Sequence, residues 1–139
     1  MIVLDTNVIS EADRDGAHPN LRCWYDSCNI MDLFLCAPVV SEMAFGGYRV
    51  YERDGSRRYL DVIEKHVRST FLGRILPYDA AIAMRHGELR RLLERSGRSI
   101  SIQDTQIAAI CLVHNATLAT RNTRDFEGLG LKLVNPFEG

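Results

Sequence analysis

The chain is punctuated into short blocks whose hydrophobic period changes from one to the next. Met1 to Leu4 is an unbroken apolar run closed by Asp5-Thr6-Asn7, the pattern of a buried strand. Val8 to Ala12 reads as a turn of helix. Residues 13–20, with Gly16 and Pro19, read as a loop. Leu21 to Ser27 is amphipathic and predicts a helix. Leu33 to Ala37 is again wholly apolar, a strand stopped by Pro38. Val40 to Arg53 has helical spacing interrupted by Gly46-Gly47. Arg57 to Phe71 is helical, with Leu60, Ile63 and Val67 as its apolar stripe. Ile75-Leu76 is a short strand. Ala80 to Ser96 is a helix ended by Gly97, and Ile102 to His114 is an apolar helix. Thr117 to Ala119 and Lys132 to Asn135 are two further strands. Short apolar strands alternating with helices predict an α/β domain with a mostly parallel sheet.

At 139 residues, with 46% hydrophobic and 25% charged positions, the chain has the length and core material of one domain, which excludes general disorder. It has no repeats and no linker, so residues 1–139 are expected to form a single unit. No run of apolar residues reaches the ~20 needed to span a bilayer. The first residues lack a basic segment and a cleavage site, so a cytoplasmic protein without a membrane role is expected. The net charge of −1 gives no basic excess. Fifteen of the seventeen basic residues are arginine, whose planar fork suits phosphate, although genomic base composition explains that bias equally well. Cys23, Cys28, Cys36 and Cys111 show no C-x-x-C spacing, which argues against a zinc ribbon and for reduced thiols. Cys36 and Cys111 lie in apolar runs and are expected in the core. The four histidines are scattered.

Candidate chemistry lies in the acids. Asp5 follows the first strand, Glu42 lies in the first turn of the helix after the second, and Asp104 lies in the first turn of the apolar helix. Asn122 and Asp125 follow the strand 117–119. In a parallel sheet the strand exits share one edge, where ligands bind. Asp104 follows a helix rather than a strand, so its arrival at that edge depends on the tertiary fold. Each residue also has a structural role open to it. Asp5 can cap a helix, Glu42 can favour a helix dipole, Asp104 fits a capping box with Ser101, and Asn122 and Asp125 can form turns. Carboxylates held together repel, and a hard divalent cation with oxygen ligands and several waters relieves that cost. Thr6 and Thr120 offer hydroxyls at the same strand exits to support such a site.

The sequence resembles the PIN-domain ribonucleases, in the branch of the VapC and FitB toxins. The blocks that carry the likeness are Met1-Ile-Val-Leu-Asp-Thr-Asn-Val-Ile-Ser-Glu11, Ala37-Pro-Val-Val-Ser-Glu-Met-Ala-Phe-Gly46, Gly73-Arg-Ile-Leu-Pro-Tyr-Asp79, Ser101-Ile-Gln-Asp-Thr-Gln-Ile-Ala-Ala109 and Thr117 to Gly130, running into Val134-Asn-Pro-Phe137. They cover essentially the whole chain in order. The resemblance implies a three-layer α/β/α sandwich and a Mg²⁺- or Mn²⁺-dependent endoribonuclease. It implies the toxin of a toxin–antitoxin pair, neutralised by a small DNA-binding antitoxin. It also implies a homodimer, with a dimer of dimers as the larger form in complex. Asp5, Glu42 and Asp104 match the family's acids as catalytic residues and metal ligands. The fourth position is shared between Asn122 and Asp125, because some relatives carry an acid where this chain has Asn122. A non-catalytic RNA- or partner-binding subunit with the same fold is the alternative. Arg121 and Arg124 are candidates to meet an RNA backbone. The helices predicted over 21–27 and 40–53 are the expected walls of a groove for an antitoxin peptide.

Overall fold

The computed structural model describes residues 1–139. Five strands form one parallel sheet: β1 (Ile2–Leu4), β2 (Leu33–Cys36), β3 (Ile75–Leu76), β4 (Thr117–Ala119) and β5 (Lys132–Val134), in the order β3-β2-β1-β4-β5. The helices are α1 (Thr6–Ala12), α2 (Pro19–Ser27), α3 (Ala37–Asp54), α4 (Arg58–Lys65), α5 (Ala80–Arg95), α6 (Ile102–His114) and α7 (Thr123–Phe126). Connections from β1 to β2 and from β2 to β3 run one way along the sheet. Those to β4 and β5 run the other way. Right-handed crossovers then place α1–α4 on one face and α5–α7 on the other, giving the sandwich. The strand order reverses between β1 and β4, where a crevice opens beyond the strands' carboxyl ends.

The predicted elements are present, and the differences have local causes. Ala37 belongs to α3 rather than to β2, because Pro38 occupies the helix's first turn, where its missing N–H costs nothing. Helix α3 runs through Gly46-Gly47 without a break. Gly47 is where α4 crosses: a Cβ there would stand 2.9 Å from Leu60 Cδ2. The helix after Arg57 leaves α-geometry at His66, and residues 66–70 form a π-turn in which Phe71 N–H donates to His66 O at 2.8 Å. That extra residue rotates Val67 outward, so the third member of the predicted stripe is exposed and His66 is buried in its stead. There Nε2 of His66 meets both Asp13 carboxylate oxygens at 2.9 and 3.0 Å. Helix α7 was not foreseen, being a single turn.

Val3, Leu4, Leu33, Leu35 and Leu118 are fully buried in the sheet, and Ile107, Ala108 and Ile110 of α6 are buried against it. Cys36 and Cys111 are buried as expected, and burial pushes the Cys36 thiol up to about 12 and that of Cys111 upward as well. No helix is long and apolar enough to cross a membrane.

Candidate active site

Pairing of Leu4 with Ala119 in β1 and β4 sets the next residues, Asp5 and Thr120, side by side at the strand ends. Asp5 N–H donates to Ala119 O at 2.9 Å, and Thr120 N–H to Val134 O at 3.0 Å. Asp5 is the N-cap of α1: its Oδ1 accepts from Thr6 N–H at 2.8 Å. Its Oδ2 accepts the Thr120 hydroxyl at 2.7 Å and the Asn7 amide at 3.4 Å. The capping role and the site role are thus both filled, one by each oxygen. Asp5 is 5% exposed. Burial, and after it the charge of Glu42, raise its carboxyl above the ordinary range, against the pull of its three donors.

Glu42 lies one turn into α3, and its Oε2 accepts the Thr6 hydroxyl at 2.7 Å. Thr6 therefore ties the second acid to the residue beside the first. Asp104 arrives because α6 packs its first turn against the start of α3, where Gln103 Nε2 donates to Pro38 O at 2.8 Å. Ser101 Oγ accepts from Asp104 N–H at 3.1 Å, half of a capping box. The return bond, from Ser101 N–H to the Asp104 carboxylate, is not made. Burial raises Asp104, followed by the charges of Asp5, Asp125 and Glu42.

These acids line one open cleft of about 370 Å³, with Thr6, Asn7, Ser10, Ser101, Gln103 and Asn122 and no apolar residue. Asn122 is part of the lining, and its N–H donates to Thr120 Oγ1 at 3.0 Å. Asp125, in α7, is not among the lining residues and acts on the site through its charge on Asp104. The structure thus brings together Asp5, Glu42, Asp104, Asn122 and Thr6, holds Thr120 directly beneath, and leaves Asp125 at the margin. Asn7 serves the site rather than the cap of α1, which Asp5 supplies. It bonds Asp5 and also accepts Arg121 N–H at 3.1 Å. Its place directly after Asp5-Thr6 was the available signal.

The donor set is entirely oxygen, which fits a hard cation. No three His, Cys, Asp or Glu side chains converge closely enough to hold a metal by themselves. Mg²⁺ is commonly held by one or two carboxylates with water filling the rest, and the cleft offers carboxylates among neutral oxygen donors. Two carboxyls raised by burial and mutual repulsion are the electrostatic counterpart: the site carries more negative charge than its own donors offset.

A second, larger groove of about 900 Å³ adjoins the cleft, and Thr6, Ser10 and Glu42 line both. Its walls are α3 and α4 with the end of α1, including Phe45, Arg49, Tyr59 and Ile63. Helix α2 lines no part of it, contrary to the expectation for 21–27, because α2 packs beside α1 on the other side. The arginines of α5 form a solvated face, with Arg85 paired to Glu88 and Arg91 to Glu94.

Comparison with known proteins agrees with this geometry. The PIN domain model matches residues 2–130. The VapC ribonuclease Y4jK of Sinorhizobium fredii is 36% identical over 140 residues, covering 99% of each chain. Toxin FitB of Neisseria gonorrhoeae is 33% identical over 137 residues, again with 99% of each covered. Among solved structures, a chain of FitAB bound to the IR36 DNA fragment superposes with a TM-score of 0.88 at 33% identity, over 100% of this chain and 97% of that one. The chain belongs to the PIN-domain family, among relatives that include VapC ribonucleases and the FitB toxin.

Proposed function

We propose that this protein is a Mg²⁺- or Mn²⁺-dependent endoribonuclease and the toxin of a toxin–antitoxin pair. The observation that carries the reading is the convergence of Asp5, Glu42 and Asp104 in one polar cleft at the point where the sheet order reverses. Its relatives named VapC ribonuclease and Toxin FitB supply the reaction class. A bound divalent cation supplies charge neutralisation at phosphorus and a more acidic water. The chain's own residues hold and orient. Asp5, locked by three donors, is the fixed anchor for the cation. Glu42, positioned by Thr6, and Asp104, freed from its capping bond, face the same space. Asn122 presents an uncharged amide able to orient a water. The water oxygen bonds to phosphorus as the bond to the 3′ oxygen breaks, leaving a 5′-phosphate and a 3′-hydroxyl. Asp125 belongs to the acid set by tuning Asp104.

The groove between α3 and α4 is the place for an antitoxin segment, because it opens onto Glu42 and a peptide lying there would reach the acids. The structure of FitAB on a DNA fragment is the model for that assembly. Met84, Leu92, Ile102 and Val113 are exposed apolar residues on α5 and α6, the face for a homodimer and, in complex, a dimer of dimers. The test is cleavage of a total small-RNA pool by purified, antitoxin-free protein with Mg²⁺, with Mn²⁺ and with EDTA, beside an Asp5→Ala, Asp104→Ala double variant. Discrete metal-dependent products lost in the variant are expected. Equal behaviour of folded wild type and variant would replace the nuclease with a non-catalytic PIN-fold subunit.

A further inference from the structure

Three acids at the cleft repel the phosphates of any polyanion that approaches, so a cation at the rim has work to do beyond that of the metal. Arg121 follows Thr120, which bonds Asp5, and precedes Asn122, which lines the cleft, without itself being among the lining residues. Its guanidinium carbon lies 3.8 Å from the centroid of the Phe137 ring, a close parallel to the stacking geometry of cation–π pairs. Several arginines are committed, Arg14 to Glu11, Arg58 to Asp15 and Arg91 to Glu94, while Arg124 beside the site is unpaired but has no aromatic ring against it. The Arg121 guanidinium takes part in no ion pair and no hydrogen bond. The ring lies against it and no side chain bonds its N–H donors, while Glu11, its carboxyl lowered first by the bond from Arg14, is lowered by the Arg121 charge as well.

The backbone around it is fixed. Asn7 Oδ1 accepts Arg121 N–H at 3.1 Å while the same side chain's amide reaches Asp5. Phe137 is held in turn. Its N–H donates to Asn135 Oδ1 at 3.0 Å, its carbonyl accepts Asn20 Nδ2 at 2.9 Å, and His18 packs edge-on with centroids 5.6 Å apart. Two segments distant in sequence thus orient one arginine relative to Asp5.

We propose that Arg121, seated over Phe137, is a substrate-binding residue that takes a backbone phosphodiester of the RNA next to the one that is cut, with Phe137 as its positioning residue. The proposal rests on the ribonuclease reading. A stacked guanidinium keeps its planar fork in one orientation, and the phosphate's paired oxygens match that fork. The contact reads the sugar–phosphate chain and carries no base preference.

The test measures initial cleavage rates against small-RNA concentration, at low and moderate salt, for wild type, Arg121→Ala, Phe137→Ala, the double variant and Phe137→Tyr. Thermal melts check that each is folded. Arg121→Ala is expected to raise KM about tenfold with kcat little changed, and to flatten the dependence of log KM on log salt by about 0.7 for the one lost contact. Phe137→Ala is expected to raise KM about threefold, to add nothing in the Arg121→Ala background, and to be rescued by Phe137→Tyr. An active wild type with an unaltered KM and salt slope in Arg121→Ala overturns the proposal alone. Additive effects of the two alanines overturn the part given to Phe137. A folded wild type that cleaves nothing overturns the ribonuclease reading and this subsite with it.

Discussion

Thr120 donates its hydroxyl hydrogen to Asp5 across 2.7 Å, from the end of one central strand to the end of its neighbour. The same oxygen accepts Asn122 N–H at 3.0 Å. One buried hydroxyl therefore orients the Asp5 carboxylate and shapes the turn that carries Asn122. Thr120→Val keeps the shape and removes both bonds, leaving a buried carboxylate short of a donor and an N–H short of an acceptor. It is expected to cost about 1–3 kcal/mol in urea unfolding and at least tenfold in cleavage rate, with Thr120→Ser close to wild type.

The two raised carboxyls make stability depend on metal and on pH with a definite sign. A folded state whose Asp5 and Asp104 hold protons more tightly than the unfolded chain is favoured below the ordinary carboxylate value of 3.8. That advantage is lost as pH rises through the raised values. At neutral pH in EDTA, Asp104→Asn is therefore expected to melt above wild type, by about 4 °C for each kcal/mol of repulsion relieved. Mg²⁺ at about 100 times its Kd is expected to add about 2.7 kcal/mol to wild type and much less to the variant. Calorimetric melts across a pH series, with and without Mg²⁺, check both signs.

A second pH effect comes from α5. Thr105 donates its hydroxyl to Ile102 O at 2.6 Å, so it accepts from His86 Nε2 at 2.7 Å, and His86 Nδ1 accepts the Tyr78 hydroxyl at 2.7 Å. His86 is thereby neutral and buried. Burial, then the charge of Arg90, lowers it from 6.5. A histidine lowered on folding contributes stability above its unfolded value, which is lost as pH falls through the folded one. His86→Gln is expected to cost about 1 kcal/mol at neutral pH and to flatten the acid limb of the stability profile below 6.5, measured by urea melts.

Adjacent glycines in α3 are expected to respond oppositely. A Cβ at Gly46 meets nothing within 4 Å, so Gly46→Ala is expected to stabilise by about 1 kcal/mol through helix propensity. At Gly47 the crossing of α4 leaves no room for a branched side chain, and Gly47→Val is expected to destabilise by about 1–3 kcal/mol. Denaturant midpoints separate the two.

The strands and most helices were legible because their apolar periods are local. So were Asp5 and Glu42, since a parallel sheet sends every strand exit to one edge. Asp104 was not secured that way, because its position depends on α6 docking against Pro38, a contact between residues far apart in sequence. The π-turn escaped because Leu60, Ile63 and Val67 fit an ideal helix, and a single extra residue after Lys65 exchanges Val67 for His66. Whether Asn122 or Asp125 faces the acids depends on a single-turn helix, too short to leave a period. Phe137 closed the last block of the resemblance but carried no sign of its partner: Arg121 reaches it only once β4 and β5 are paired.

Strand order has a consequence for when the protein becomes harmful. β1 has as its neighbour β4, which comes much later in the chain and ends at residue 119. Until the residues just after that strand have left the ribosome, Asp5 has no Thr120 to orient it and the cleft has no Asn122. A nascent chain that stops short of Thr120 therefore carries Asp5, Glu42 and Asp104 without the hydroxyl that holds Asp5 in place. β4 and the turn after it must be made before the ribonuclease can turn on the RNA around it.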